Sequence, residues 1–191
     1  QDRRIGRLAA RNTQPIDRGG GGGNGGGGGG DPLAQSFLID ETDGIFVTSI
    51  DAFFGSKSST IPVRAEIRTM INGYPSTDIL PFAQKYLSPG SVNTSTDGTT
   101  ATTFTFDSPV YLKEGTEYCF VLYSDSDEYT AYVSRLGGTN LSSDRTVSKQ
   151  PNMGVLFKSA NNRTWNAEQL EDLKFKLKKA VFSTTTTATI T

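Results

Sequence analysis

The chain contains no histidine and a single cysteine. The missing imidazole removes the general base of Ser-His-Asp and Cys-His nucleophile schemes, together with every His-containing metal site. Cys119 alone cannot close an internal disulfide, so folding does not depend on an oxidising compartment. In its apolar surroundings it reads as a small hydrophobe. No apolar run approaches the roughly 20 residues that cross a bilayer as a helix. No signal-peptide pattern is present, and the chain starts at Gln1 rather than Met, so it reads as a piece of a longer polypeptide. An excess of one charge is missing too: 19 basic residues stand against 20 acidic ones. That balance gives no whole-chain pull toward nucleic acid or an anionic membrane, and neither partner is expected.

What is present divides into four parts. Residues 1–18 hold five Arg against two Asp and read as an extended basic arm that orders only against a neighbour. Residues 19–30 are glycine at every position but Asn24. This run has neither the spacing, the following helix nor the Lys of a phosphate-cradling loop, so it reads as a linker. Residues 31–182 are the foldable domain, of a size that suits one core. From Asp31 onward 14 basic residues face 18 acidic ones, so a basic arm precedes a mildly acidic domain. Residues 183–191 form a Thr-rich, β-prone extended tail leading to the rest of the parent chain.

The domain is organised around residues 99–134. Thr103-Phe104-Thr105-Phe106 alternates with the period of a strand that has one buried face. Tyr118, Phe120 and Leu122 interleave with Cys119, Val121 and Tyr123, so both faces of that strand are expected to be covered. Earlier, 33–39, 45–54 and 61–70 read as strands, with Phe46, Ile50, Ala52 and Phe54 on one face of the second. In the third, Val63, Ala65 and Ile67 alternate with Arg64, Glu66 and Arg68, which predicts a core face and a face toward water or a partner. Asp43-Gly44 and Asn72-Gly73 are turn signals. Residues 76–81 and 166–170 read as short helical turns, 137–152 as irregular, and 173–182 as a strand in which Lys174, Lys176 and Lys178 alternate with Phe175 and Leu177. Eight to ten short strands at roughly 10-residue spacing predict an all-β fold: an antiparallel β-sandwich, jelly-roll-like, with at most one or two short helical turns.

Few side-chain groups suggest chemistry. Asp125, Asp127 and Glu128, and likewise Asp40, Glu41 and Asp43, are acidic turns with the carboxylate oxygens that Ca²⁺ binds, but their spacing lacks the full calcium-loop pattern. Tyr74, Tyr86, Tyr132 and Trp165 are candidates for stacking on sugar rings, against the commoner reading of rim or core packing. Asn93-Thr94-Ser95, Asn140-Leu141-Ser142 and Asn162-Arg163-Thr164 match the N-glycosylation pattern, which matters only on a secretory route. Glycoside hydrolysis by paired carboxylates is disfavoured, because the acidic residues sit in turns or at 168–172 without an apolar pocket to raise a pKa.

Several motifs together have a familiar look. Asp31-Pro32-Leu33-Ala34-Gln35-Ser36-Phe37 opens the domain, Ile71-Asn72-Gly73-Tyr74-Pro75-Ser76 follows the regular strand, and Ser108-Pro109-Val110-Tyr111-Leu112 lies in the 99–134 stretch. Gln150-Pro151 leads to Gly154-Val155-Leu156-Phe157-Lys158-Ser159, and Trp165 and Glu171-Asp172-Leu173-Lys174-Phe175 stand near the end. Over about 31–182 the chain resembles a β-rich domain of tail structural proteins, in particular baseplate wedge proteins, of contractile-tailed, T4-like phages, including those of cyanobacteria. The resemblance implies a non-enzymatic virion component, assembled in the host cytoplasm, whose partners are other tail and baseplate subunits, including copies of itself. It carries over no catalytic, cofactor-binding or metal-binding residue. The alternative from another class is a carbohydrate-binding sandwich that contacts host surface glycans.

Overall fold

The computed structural model describes residues 12–15, 32–135, 154–159 and 162–182. Within them lie strands β1 (Asn12–Pro15), β2 (Leu33–Leu38), β3 (Ile45–Ser56), β4 (Val63–Ile71), β5 (Tyr74–Leu87), β6 (Ala101–Leu112), β7 (Glu117–Ser124), β8 (Thr130–Arg135), β9 (Leu156–Ser159), β10 (Trp165–Glu168), β11 (Glu171–Leu173) and β12 (Phe175–Lys179). The 3-10 turn Pro89–Ser91 is the one helical element among the described residues.

The strands form two antiparallel sheets. The first runs β1-β8-β3-β12, with β6 on β3 and β11 on β8; the second runs β10-β9-β2-β7-β4-β5. From β2 onward the chain crosses between sheets after every one or two strands, which gives the all-β, jelly-roll-like sandwich that the spacing predicts. β1, from within the basic arm, pairs in antiparallel register with β8, Asn12 opposite Val133 and Pro15 opposite Thr130. The linker 19–30, the section 137–152 and the tail 183–191 lie outside the described residues.

β7 sits between β2 and β4. Its residues from Tyr118 to Leu122 are all buried, because an unbroken apolar run suits a strand covered on both sides. Its inner side chains belong to the main core with Phe37, Phe54, Phe104, Tyr129 and Phe175. Phe175 of the first sheet meets Phe120 and Phe37 of the second at ring-centroid distances of 5.5 and 5.9 Å. Each such buried ring contributes about 1.5–3 kcal/mol of apolar transfer. On the outer side of β7, Cys119 and Val121 join Ala34, Phe157 and Trp165 in a second, smaller cluster. Gln35 spans the sandwich: its Nε2 donates to Asp172 Oδ1 at 3.1 Å, and its Oε1 accepts from the Leu173 N–H at 2.7 Å.

The structure corrects four local expectations. Residues 76–81 are not a helical turn but part of β5, held to β4 by the Asn72-Gly73 turn, whose two positive φ angles (+51° and +78°) are those of a tight hairpin. Residues 166–170 form β10 and a turn, because pairing with β9 supplies backbone partners that a lone helical turn would lack. Phe46 does not share a face with Ile50, Ala52 and Phe54. Thr48 is skipped in the ladders to both β6 and β12, so the inward set changes from Ile45 and Val47 to Ile50, Ala52 and Phe54. The hydroxyl of Thr48 repairs the irregularity by donating to the Lys178 carbonyl at 3.2 Å. Finally, the charged face of β4 is not simply solvated, since Glu66 and Arg68 are buried.

Candidate functional site

The alternation of β4 places Arg64, Glu66 and Arg68 on the outer face of the second sheet. Glu66 lies opposite Val121 on β7 and Gln84 on β5. A carboxylate with no exposed surface needs partners, and this one has three. Arg68 Nε donates to Oε2 at 2.6 Å, Gln84 Nε2 donates to Oε1 at 2.9 Å, and Arg64 forms an ion pair with Oε1. Arg64 is the part of the network nearest water. Its guanidinium lies 4.4 Å from the Tyr123 ring centroid and 5.5 Å from that of Tyr86, and it donates to the Tyr86 hydroxyl at 2.8 Å. Tyr123 in turn donates to Asp125. Two guanidinium groups share the one buried carboxylate, and the hydrogen bonds around it make this a rigid part of the surface.

The four aromatic candidates are not brought together. Tyr132 is buried, with its hydroxyl donating to the Ser95 carbonyl at 2.7 Å, and Trp165 is buried in the outer cluster. Tyr74 and Tyr86 are half exposed, but they stand toward opposite ends of the β4–β5 hairpin, opposite Ile71 and Arg64. Tyr74 packs on Phe157. The acidic turns are likewise engaged locally: Asp125 accepts from Tyr123, and Glu41 lies 3.4 Å from Lys179 Nζ. Among the described residues no group of three or more His, Cys, Asp or Glu side chains is arranged to hold a metal ion. Asn93 uses its side-chain amide on the Ala101 carbonyl, Asn162 sits at a positive φ of +59°, and Asn140 lies outside the described residues.

The acidic segment 168–172 departs from expectation at one residue. Glu168 and Glu171 flank Lys158, at 3.8 and 2.9 Å, but Asp172 is buried with Oδ2 unpartnered. Burial pushes its carboxyl up to about 6, only partly opposed by the Gln35 hydrogen bond. Cys119 is pushed up to about 12 by burial, which leaves it a thiol.

The outer face of the first sheet carries what sequence reading missed. Because of the Thr48 irregularity Phe46 points outward, where its ring meets Tyr111 at 5.1 Å and Phe182 edge-on at 5.4 Å. All three rings are exposed. The switch from apolar residues at 45 and 47 to apolar residues at 50, 52 and 54 was the available signal. Beyond this patch run Lys178 and Lys176 on β12, and Lys174 just before it. Lys178 pairs with Asp51 at 2.8 Å, and Lys174 and Lys176 lie over the buried Phe53 ring at 4.5 and 5.6 Å. Burial, followed by the charge of Lys176, lowers the Lys174 pKa, while a hydrogen bond to the Gly98 carbonyl holds its ammonium in place. A further apolar side chain, Phe82, stands exposed on β5 at φ +62°, inside the irregularity opposite Ile67.

The described surface thus combines exposed rings and fixed charges on a stiff framework. No known protein family matches the chain, and no curated protein matches it.

Proposed function

We propose that this chain is a structural module of a phage tail baseplate, of the wedge type, which holds neighbouring tail subunits by surface contact. The observation that carries the reading is β1. Four residues from the basic arm add to the edge of β8 as an extra strand, main chain to main chain. Strand addition of this kind needs no pocket and suits a protein whose task is to be fastened to others. The exposed rings of Phe46, Tyr111, Phe82 and Phe182 on a well-packed sandwich support the same reading, as does the resemblance of residues 31–182 to wedge proteins. The role requires no catalytic group and no cofactor. Its partners are other tail subunits, copies of this chain included, and its place is the virion.

Immunogold labelling of purified virions with an antibody to residues 32–182 tests this. Label at the distal end of the tail is the expected result. Virions without label would overturn it, as would saturable binding of the chain to a glycan array that is lost in Tyr74→Ala or Tyr86→Ala, which would favour the carbohydrate-binding alternative.

A further inference from the structure

We infer that the outer face of the first sheet is a two-fold contact surface for a second copy of this chain. The inference deepens the proposed structural role and rests on its premise that the protein acts through its outside.

The argument begins with the order of side chains along the strands. At the centre Phe46 stands opposite Tyr111 in the β3–β6 ladder, with Phe182 against Phe46. One step toward the end of that ladder, Ile45 opposite Leu112, the chain enters the acidic loop 40–43, which lies beside Glu114 of the 113–116 turn and keeps a net negative charge although Lys113 and Lys179 stand near it. There the Asp43 N–H donates to Glu114 Oε2 at 3.0 Å, and the Tyr111 hydroxyl donates to the Asp43 carbonyl. Asp43 and Glu114 are both exposed. In the opposite direction, Lys178 pairs with Ser49 and Lys176 with Asp51 in the β12–β3 register, and Lys174 follows. The surface therefore reads acidic, aromatic, basic along one axis.

Such an order is complementary to itself. A two-fold axis through the aromatic centre turns one copy end for end, which sets its lysine row over the acidic 40–43 loop and Glu114 of the other and stacks ring on ring. Isologous contacts have this property, in which each cross-contact occurs twice. The chemistry matches what interface centres prefer: aromatic side chains in the middle and charges at the rim, where they set orientation. Lys176 is the rim cation best placed for this, since it makes no ion pair with the described residues, whereas Lys178 is committed to Asp51.

The test is sedimentation of the full chain between about 1 and 100 μM, the range in which a weak specific contact becomes populated. Twice the monomer mass is expected at the upper end. Phe46→Ser with Tyr111→Ser should raise the dissociation constant at least tenfold, with an unchanged far-ultraviolet spectrum showing that the fold is intact. Lys176→Glu and Asp43→Lys should each be monomeric alone, because like charges then meet. Mixed in equal amounts they should dimerise, since both cross-contacts are restored. A wild-type chain that stays monomeric throughout the range would overturn the inference, and so would a dimer indifferent to the Phe46 and Tyr111 substitutions or a mixture that fails to associate. These outcomes are separate from virion labelling: a labelled but monomeric protein removes this surface alone, and a dimer absent from virions removes the proposed role alone.

Discussion

Arg68 reaches back along its own strand to Glu66, two residues earlier, and places both Nε and Nη2 2.6 Å from Oε2. Successive outward residues on a strand are close neighbours, so the pair forms without help from another strand, yet both members are buried. Their environment makes the pair costly to break. Glu66→Leu leaves the Arg68 guanidinium buried without its carboxylate, and should destabilise the fold by about 3–5 kcal/mol. Glu66→Leu combined with Arg68→Met should recover much of that loss, because the buried guanidinium goes with its carboxylate and only Arg64, the member nearest water, is left without its partner. Urea denaturation of both variants measures this. A single variant within about 1 kcal/mol of wild type would contradict the account, since that is the size expected of an exposed pair.

Asp172 predicts a pH dependence of definite sign. Its folded pKa, about 6, lies above the ordinary value of 3.8. The folded state therefore holds the proton more tightly, and this residue's contribution to stability is fully present below pH 3.8 and lost as pH rises through about 6. By pH 7 the ionised, buried carboxylate costs on the order of 3 kcal/mol. Asp172→Asn should raise the midpoint of urea denaturation at pH 7, leave it nearly unchanged at pH 3.5, and flatten the difference from wild type above pH 6. Equal effects at both pH values would point to shape rather than charge.

Gly44 follows Asp43 in the loop before β3, with φ +66° at Asp43 and +74° at Gly44. A Cβ on Gly44 would collide with the Leu112 carbonyl oxygen, which belongs to the paired strand and cannot move alone. Gly44→Ala thus combines left-handed strain with a backbone clash, and a loss of at least about 1–3 kcal/mol is expected in thermal or urea unfolding. Gly73→Ala serves as the comparison. Its φ is also positive, but nothing stands near the added carbon, so its loss should be smaller.

Cys119 lies inside β7 with its thiol donating weakly to the Arg68 carbonyl at 3.7 Å, and burial pushes its pKa up to about 12. The thiolate is the reactive form. In the folded protein at pH 8 a disulfide reagent should therefore react only as fast as the chain opens, and at full speed in denaturant. Rapid labelling under native conditions would show that the outer cluster is not closed.

Much of this architecture was legible in the residues. The unbroken apolar run at Tyr118–Leu122 specified a strand covered on both sides, and β7 is that strand. Asn72-Gly73 specified a turn, which the structure makes the tight link between β4 and β5. Alternation of Val63, Ala65 and Ile67 with charge specified which side of β4 faces the core. These readings succeed because they concern neighbours in the chain, where the period of two decides which way a side chain points. The short helical readings failed at β5 and β10, where backbone pairing with the preceding strand, β4 and β9, outweighed local helical preference. The candidate site was less legible still. Tyr132 and Trp165 carry sugar-binding chemistry in their side chains, but packing removed them from the surface.

The sequence by itself determined that the chain is all-β, that histidine chemistry and internal disulfides are absent, and which residues of the central strands make the core. These follow from composition and from periodicity, which act locally. Only the tertiary structure decided what the outward residues meet. The skipped position at Thr48 turned Phe46 from core to surface, the approach of β5 and β7 enclosed Glu66 and Arg68, and β11 carried Asp172 against Gln35 from 137 residues away. Burial and electrostatics depend on which distant segments come together, and that depends on how two sheets close over a shared core.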